Sequence, residues 1–158
     1  MTISIRPAPV RRSVTVPAPQ ERAFDVFTAQ MGKWWPASHS IGSTSQKAVR
    51  MEPRSGGRWY EVGEDGKECD WGEVLEWNRP RRLVLAWRIT ADWRFDPELL
   101  TEVEVLFTPI EESRTRVDLE HRLLENYGDR AEAARNTLDS EGGWPLLVDL
   151  YAKTVAAG

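Results

Sequence analysis

Two histidines, His39 and His121, and a single cysteine, Cys69, are the scarcest reactive side chains in this chain. His121 lies in the stretch TRVDLEHR, where strict alternation puts it on the same face as Val117 and Leu119. An inward histidine near a strand end can take or give a proton near neutral pH. The plainer alternative is a core histidine satisfied by backbone or by a carboxylate. Tyr60 and Glu61 are adjacent in RWYEV, so one points in and the other out. If Glu61 is the inward one, it is a buried carboxylate that needs a partner. His121 with Glu61 or Tyr60 would then form a polar pair for general acid–base chemistry. Arg88 and Asp92 flank a turn and read as a rim salt bridge. Cys69 has only Lys67 as a cationic neighbour in sequence and reads as an inert thiol. One cysteine allows no internal disulfide and no Cys-based zinc site, and the two histidines are far apart, so neither metal nor cofactor is expected.

Tryptophan is the residue in excess: there are 8, against 4 Phe and 3 Tyr, so indole must build most of the aromatic surface. Trp87 alternates with Leu83, Leu85 and Ile89 and reads as core. Trp144 opens a stripe with Leu147, Tyr151 and Val155 at helical spacing, again a core pattern. Trp59, Trp71 and Trp77 fall on segments whose facing stays open, with a bulge at Gly72 as one solution. Trp34, Trp35 and Trp93 sit in less regular stretches, where a cavity would open. Some of these rings can simply be core; alternatively they line a pocket for a flat, greasy ligand, with indole N–H groups orienting it.

The elements that must position these residues follow from periodicity. Residues 1–9 read as a loose tail and 10–158 as one domain, an ordinary size for a single core. Val10, Val14 and Val16 alternate in a first strand, with Arg12 in the apolar register. Pro19 starts an amphipathic helix near 19–29, followed by a short helix or turn at Lys33-Trp34-Trp35-Pro36 and a polar surface loop at 37–47. From 48 to 122 the period is two, with a hairpin turn at Asp65-Gly66 and an irregular loop at 91–100. The segments 101–109 and 114–122 alternate most clearly; Val103, Val105 and Phe107 face one way and a stripe of mixed charges the other, which cross-strand pairing explains. Asp129 and Glu132 have capping-box spacing before a helix at 130–138, and Pro145 starts a helix to about Ala156. Strands followed by helices imply an α+β fold with helices gathered on one face of an antiparallel sheet.

A net charge of −4 disfavours a nucleic-acid backbone as partner. The N-terminal residues lack the apolar core of a signal peptide and no apolar run could cross a membrane, so the expected location is the cytoplasm. No phosphate-loop, dinucleotide or nucleophile-elbow motif is present, which leaves catalysis undecided.

Several segments in order — VRRSVTVPAPQERAFDVFT, WWP at 34–36, GGRWYE at 56–61, WGEVLEWNRPRRLVLAW at 71–87, TEVEVLFTP, TRVDLEHR and GGWPLLVDLY — resemble the SRPBCC (START-related, helix-grip) superfamily. Within it they look most like the Aha-type branch, named for activators of a heat-shock-protein ATPase. The resemblance implies a curved antiparallel sheet of about seven strands gripping a long C-terminal helix. It also implies a cavity between them for a small apolar or aromatic molecule. On that expectation the lining would draw on Trp34, Trp35, Glu61, Trp87, Trp93, Phe107, His121, Trp144, Leu147 and Tyr151. A carrier or sensor is the first function it implies, and a polyketide cyclase, aromatase or hydrolase the second. Stimulation of a chaperone ATPase ranks third, because the co-chaperone of the branch carries a further N-terminal domain and only residues 1–9 precede the first strand here. Homodimerisation stays open and would be favoured by an exposed Trp on a sheet edge.

Overall fold

The computed structural model describes residues 7–158. The tail expected over 1–9 therefore lies outside the described residues except at 7–9, which carry no regular structure. The elements run β1 (Val10–Val16), α1 (Gln20–Phe27), α2 (Met31–Trp34), β2 (Gln46–Met51), β3 (Arg58–Gly63), β4 (Glu68–Asn78), β5 (Arg82–Trp87), β6 (Thr101–Glu111) and β7 (Arg114–Arg122). A 3₁₀ segment (Leu124–Arg130), α3 (Ala131–Leu138) and α4 (Trp144–Ala157) complete the chain. The strands form one seven-stranded antiparallel sheet in the order β1-β7-β6-β5-β4-β3-β2. Helix α4 lies against it, packed on β1, α1 and α2. This is the helix-grip arrangement, α+β with its helices on one face.

Alternation explains the middle of the sheet. Val103, Val105 and Phe107 on β6 pair with His121, Leu119 and Val117 on β7, and all are buried. Their outward neighbours Glu102, Glu104 and Glu120 meet Arg82 and Arg122 in ion pairs, which satisfies the wet face. Arg12, in the apolar register of edge strand β1, resolves by reaching past the sheet to Asp139 at 2.9 Å.

Alternation fails on β4 because this strand carries irregularities against both neighbours. Trp59 pairs with Gly72 but Tyr60 with Asp70, so Trp71 is the bulged residue, one position before the one expected. Val74 pairs with Leu85 but Glu76 with Val84, so Leu75 is extra on the other side. As a result Trp71 and Val74 are both buried while Leu75 turns outward. Gly72 sits between Trp59 and Trp87 on the flanking strands, and a Cβ there would run into the Ala86 carbonyl. The glycine is needed for the close approach of β4 and β5.

Three local expectations change. The carboxylates of Asp129 and Glu132 make no cap: α3 begins after Arg130 with no side-chain cap bond, because the preceding 3₁₀ segment runs into it. Arg88 does not pair with Asp92; its guanidinium grips Glu73 on the adjacent strand at 2.6 Å, and Asp92 meets Arg130 instead. The polar stretch at 37–47 gives its last residues to β2, and the loop left at 36–45 is a wall of the site described next.

Candidate functional site

At the end of the grip where α4 begins, sheet, helices and loop enclose a cavity of about 340 Å³. The sheet supplies Trp71 from β4, Trp87 from the end of β5 and Ile89 just beyond it. Trp144 and Leu147 come from α4, and Thr137, Leu138 and Ser140 from the end of α3 and the turn after it. The loop between α2 and β2 supplies Ser38, His39, Ser40 and Ile41, with Trp35 at its root. Trp93 stands at the opening, 47% exposed, on a tight turn closed by Thr90 and Arg94. Its backbone is left-handed (φ 62), a conformation that costs a non-glycine residue about 1–2 kcal/mol.

Glu61 is the inward member of its pair, fully buried, while Tyr60 faces out under the Arg58 guanidinium. The carboxylate lies behind the wall rather than in it. Its Oε1 accepts from the Ile41 backbone N–H at 2.7 Å and from the Trp71 indole N–H at 2.8 Å, and Oε2 bonds the Ser40 hydroxyl. One buried acidic group thus ties the loop to the sheet through three lining residues. Burial, with Glu61 next in effect, pushes the nearby Cys69 thiol up, in keeping with an inert sulfur.

His121 is fully buried and both ring nitrogens are used. The Trp144 indole N–H donates to Nδ1 at 3.0 Å, so Nε2 carries the proton and donates to Thr101 Oγ1 at 2.8 Å. The Thr101 hydroxyl donates in turn to the Trp87 carbonyl at 2.8 Å. Burial drives the His121 pKa down to about 3, so the ring is neutral at physiological pH. It holds Trp144 and β5 in place, does not reach the cavity, and cannot form the acid–base pair with Glu61 that the sequence raised.

Trp35, Trp87, Trp93, Trp144 and Leu147, all expected at the cavity, line it. Trp34, Glu61, Phe107, His121 and Tyr151 do not. The Trp34 ring packs between Phe27 and Tyr151 and donates its N–H to the Val26 carbonyl. Phe107 packs against Phe24 and Phe27, and the Tyr151 hydroxyl donates to the Ala23 carbonyl. These three belong to the filled part of the grip beneath α1. Sequence reasoning missed Trp71, hidden by the bulge, and His39 with its serines, hidden in a stretch that reads as plain loop. The histidine among small polar residues was the available signal. The one strongly exposed indole, Trp93, is at the cavity opening rather than on a sheet edge.

A second, larger groove of about 730 Å³ runs between the end of α1 and strands β2–β4, but it is open and bridged by the Asp25–Arg79 ion pair. It lacks the enclosure a small-molecule site needs.

Residues 17–156 match the family described as Activator of Hsp90 ATPase homolog 1-like protein. The chain belongs to this family. Among solved structures, it is similar to the anthrahydroquino-gamma-pyrone synthase Txn09 complexed with SUM, with 38% identity, TM-score 0.66, and coverage of 94% of this chain and 97% of that one. It is also similar to CalC, a self-sacrificing resistance protein from Micromonospora echinospora, with 31% identity, TM-score 0.71 and 94% coverage of both chains. A third relative of the Activator of Hsp90 ATPase homolog 1-like fold is PFC0360w, an HSP90 activator from Plasmodium falciparum, with 19% identity, TM-score 0.56, and coverage of 91% and 95%. At that identity the likeness is one of fold alone. No curated protein matches the chain. No helix among the described residues is long and apolar enough to cross a membrane.

Proposed function

We propose that the protein binds a planar, largely apolar aromatic molecule in the cavity between β4–β5 and the start of α4. The observation that carries this reading is the wall itself. Five indoles line a space of about 340 Å³, and no Asp, Glu, Lys or Arg is among the described residues that line it. That volume lies in the range of small-ligand sites and suits a fused ring system of three or four rings. Indole faces stack well on flat rings and contribute large apolar area. The likeness at 38% identity to a synthase named for a polycyclic pyrone supports the same ligand class. Carriage or sensing in the cytoplasm is the simplest use of such a pocket.

A second reading is a cyclase-type enzyme acting on a similar molecule, favoured by that same likeness. His121 gives it no support, because the ring is neutral, satisfied and outside the cavity. The chaperone reading rests on the family's description and on a likeness of fold at 19% identity.

Titration with fluorene, anthraquinone and larger fused aromatics, read by tryptophan emission and thermal shift, tests the proposal. Saturable quenching and a raised Tm are expected. Thr137→Trp, on an exposed lining position, should block entry without changing the free protein's Tm by more than a few degrees. No saturable change with any fused aromatic would overturn the reading. Release of a cyclised product from a linear polyketone would move it to the enzyme alternative.

A further inference from the structure

Four of the indoles that line the cavity are buried, and three of them have given their N–H to the protein. Trp35 donates to the His39 carbonyl at 3.0 Å, Trp71 to Glu61 at 2.8 Å and Trp144 to His121 at 3.0 Å. Trp87 has not: its Nε1 is buried and meets no acceptor among the described residues. The Tyr127 hydroxyl stands nearby; burial pushes it up to about 12, and Trp87 and Thr101 ease that rise. Its proton goes to the Ile89 carbonyl at 2.8 Å, and it lies outside bonding geometry of the Trp87 N–H. The other polar side chains of the wall are paired within the protein: Ser140 and Thr137 with backbone carbonyls, Ser40 with Glu61 and Thr44, and His39 with Gly142 and Ser38. Trp93 is half exposed, where water can serve its N–H. A buried donor without an acceptor is uncommon in a native fold and costly, because it has lost water and gained nothing in return. At the wall of a cavity that loss is recovered by an acceptor on whatever the cavity holds.

We infer that the ligand carries a carbonyl on its ring system, as an aromatic ketone or quinone does, and that its oxygen accepts from the Trp87 indole N–H. This rests on the aromatic-binding reading above and adds the ligand's polar group and the residue that selects it. Nε1 is covered in the free protein, so the oxygen reaches it through a small turn of the indole toward the cavity. Trp87 is the one buried indole of the wall that can make this turn without breaking a hydrogen bond, and the cavity it borders supplies the room. An indole N–H can only donate and a carbonyl oxygen can only accept, so the two match. A hydrocarbon of the same shape leaves the donor unpaired.

The test compares fluorene with 9-fluorenone, the same ring system with a carbonyl added, by calorimetric titration of the wild-type protein and of Trp87→Phe. The wild type should prefer the ketone by roughly five- to tenfold, the range of one net hydrogen bond. Trp87→Phe keeps a ring on the wall but has no N–H, so it should lose that preference and still bind fluorene. Because this variant also removes buried volume, NMR of the wild-type protein gives an independent readout. The Trp87 indole ¹H resonance, assigned from through-space contacts, should lie further downfield with 9-fluorenone than with fluorene, which supplies the same ring currents without the acceptor. Equal wild-type affinity for ketone and hydrocarbon, a preference surviving in Trp87→Phe, or the same indole resonance with both compounds would each overturn the role of Trp87 while leaving aromatic binding intact. Failure of both compounds to bind the wild type would remove both readings.

Discussion

Replacing Glu61 separates hydrogen bonding from charge at the back of the cavity. In Glu61→Ala the Trp71 N–H, buried at 1% exposure, loses its acceptor, which costs about 1–3 kcal/mol. The Ile41 N–H and Ser40 hydroxyl also lose theirs, but both residues are partly exposed and can turn to water, so each adds about 0.5–1 kcal/mol. A total near 3 kcal/mol should lower Tm by about 6–12 °C for a chain of this length. Glu61→Gln should behave quite differently. Its carbonyl oxygen can occupy the Oε1 position and serve both Ile41 and Trp71. Its amide can then donate to Ser40 Oγ, whose hydroxyl has the Thr44 carbonyl at 3.0 Å as an alternative acceptor. The expected loss is under about 1 kcal/mol. Urea unfolding followed by circular dichroism measures stability, and hydrogen exchange at the Ile41 amide reports the tie directly. If Gln is as damaging as Ala, the negative charge rather than the acceptor geometry holds the loop, and the bonding assigned to Glu61 is wrong.

His121 makes stability depend on acid. The unfolded histidine takes a proton below about pH 6.5 while the folded one resists until about pH 3, so the unfolded chain binds more protons in between and stability falls as pH drops through that window. The contribution approaches about 1.4 kcal/mol per pH unit, and His121→Gln should show a correspondingly shallower profile in urea melts from pH 7 to 4. Gly72→Ala should cost more than about 3 kcal/mol, since the added methyl meets the Ala86 backbone and forces β4 from β5. A denaturation midpoint near wild type would show that the strands yield there.

The parts of the molecule legible in the sequence are those where one period holds without interruption. Val103 to Phe107 and Val117 to His121 keep strict alternation, and their facing follows from it. The stripe of Trp144, Leu147, Tyr151 and Val155 does the same for α4. Facing over 58–78 was not legible because bulges at Trp71 and Leu75 each shift the register by one residue, and a one-residue slip sends every later side chain to the opposite face. The site was half legible for a different reason. Trp35 and Trp144 announce themselves by type, but His39 matters through a bond to Gly142, 103 residues away, which no local pattern encodes. Alternation placed His121 inward but left open whether it was reactive or a satisfied core residue, since its partners Trp144 and Thr101 come from other elements.

Six of the indoles, Trp34, Trp35, Trp59, Trp71, Trp87 and Trp144, touch in a continuous chain, with ring centroids 4.9 to 6.4 Å apart. At such spacing an excited state does not stay on the ring that absorbed the photon. Energy hops between neighbours until it reaches the lowest trap, and the transition dipoles couple strongly enough to split the ultraviolet circular dichroism into paired bands. Light therefore sees these side chains as one chromophore. A molecule that quenches Trp35 in the cavity also drains Trp59, which lines no part of it, so deleting tryptophans one by one will redistribute the emission instead of resolving it into six separate signals.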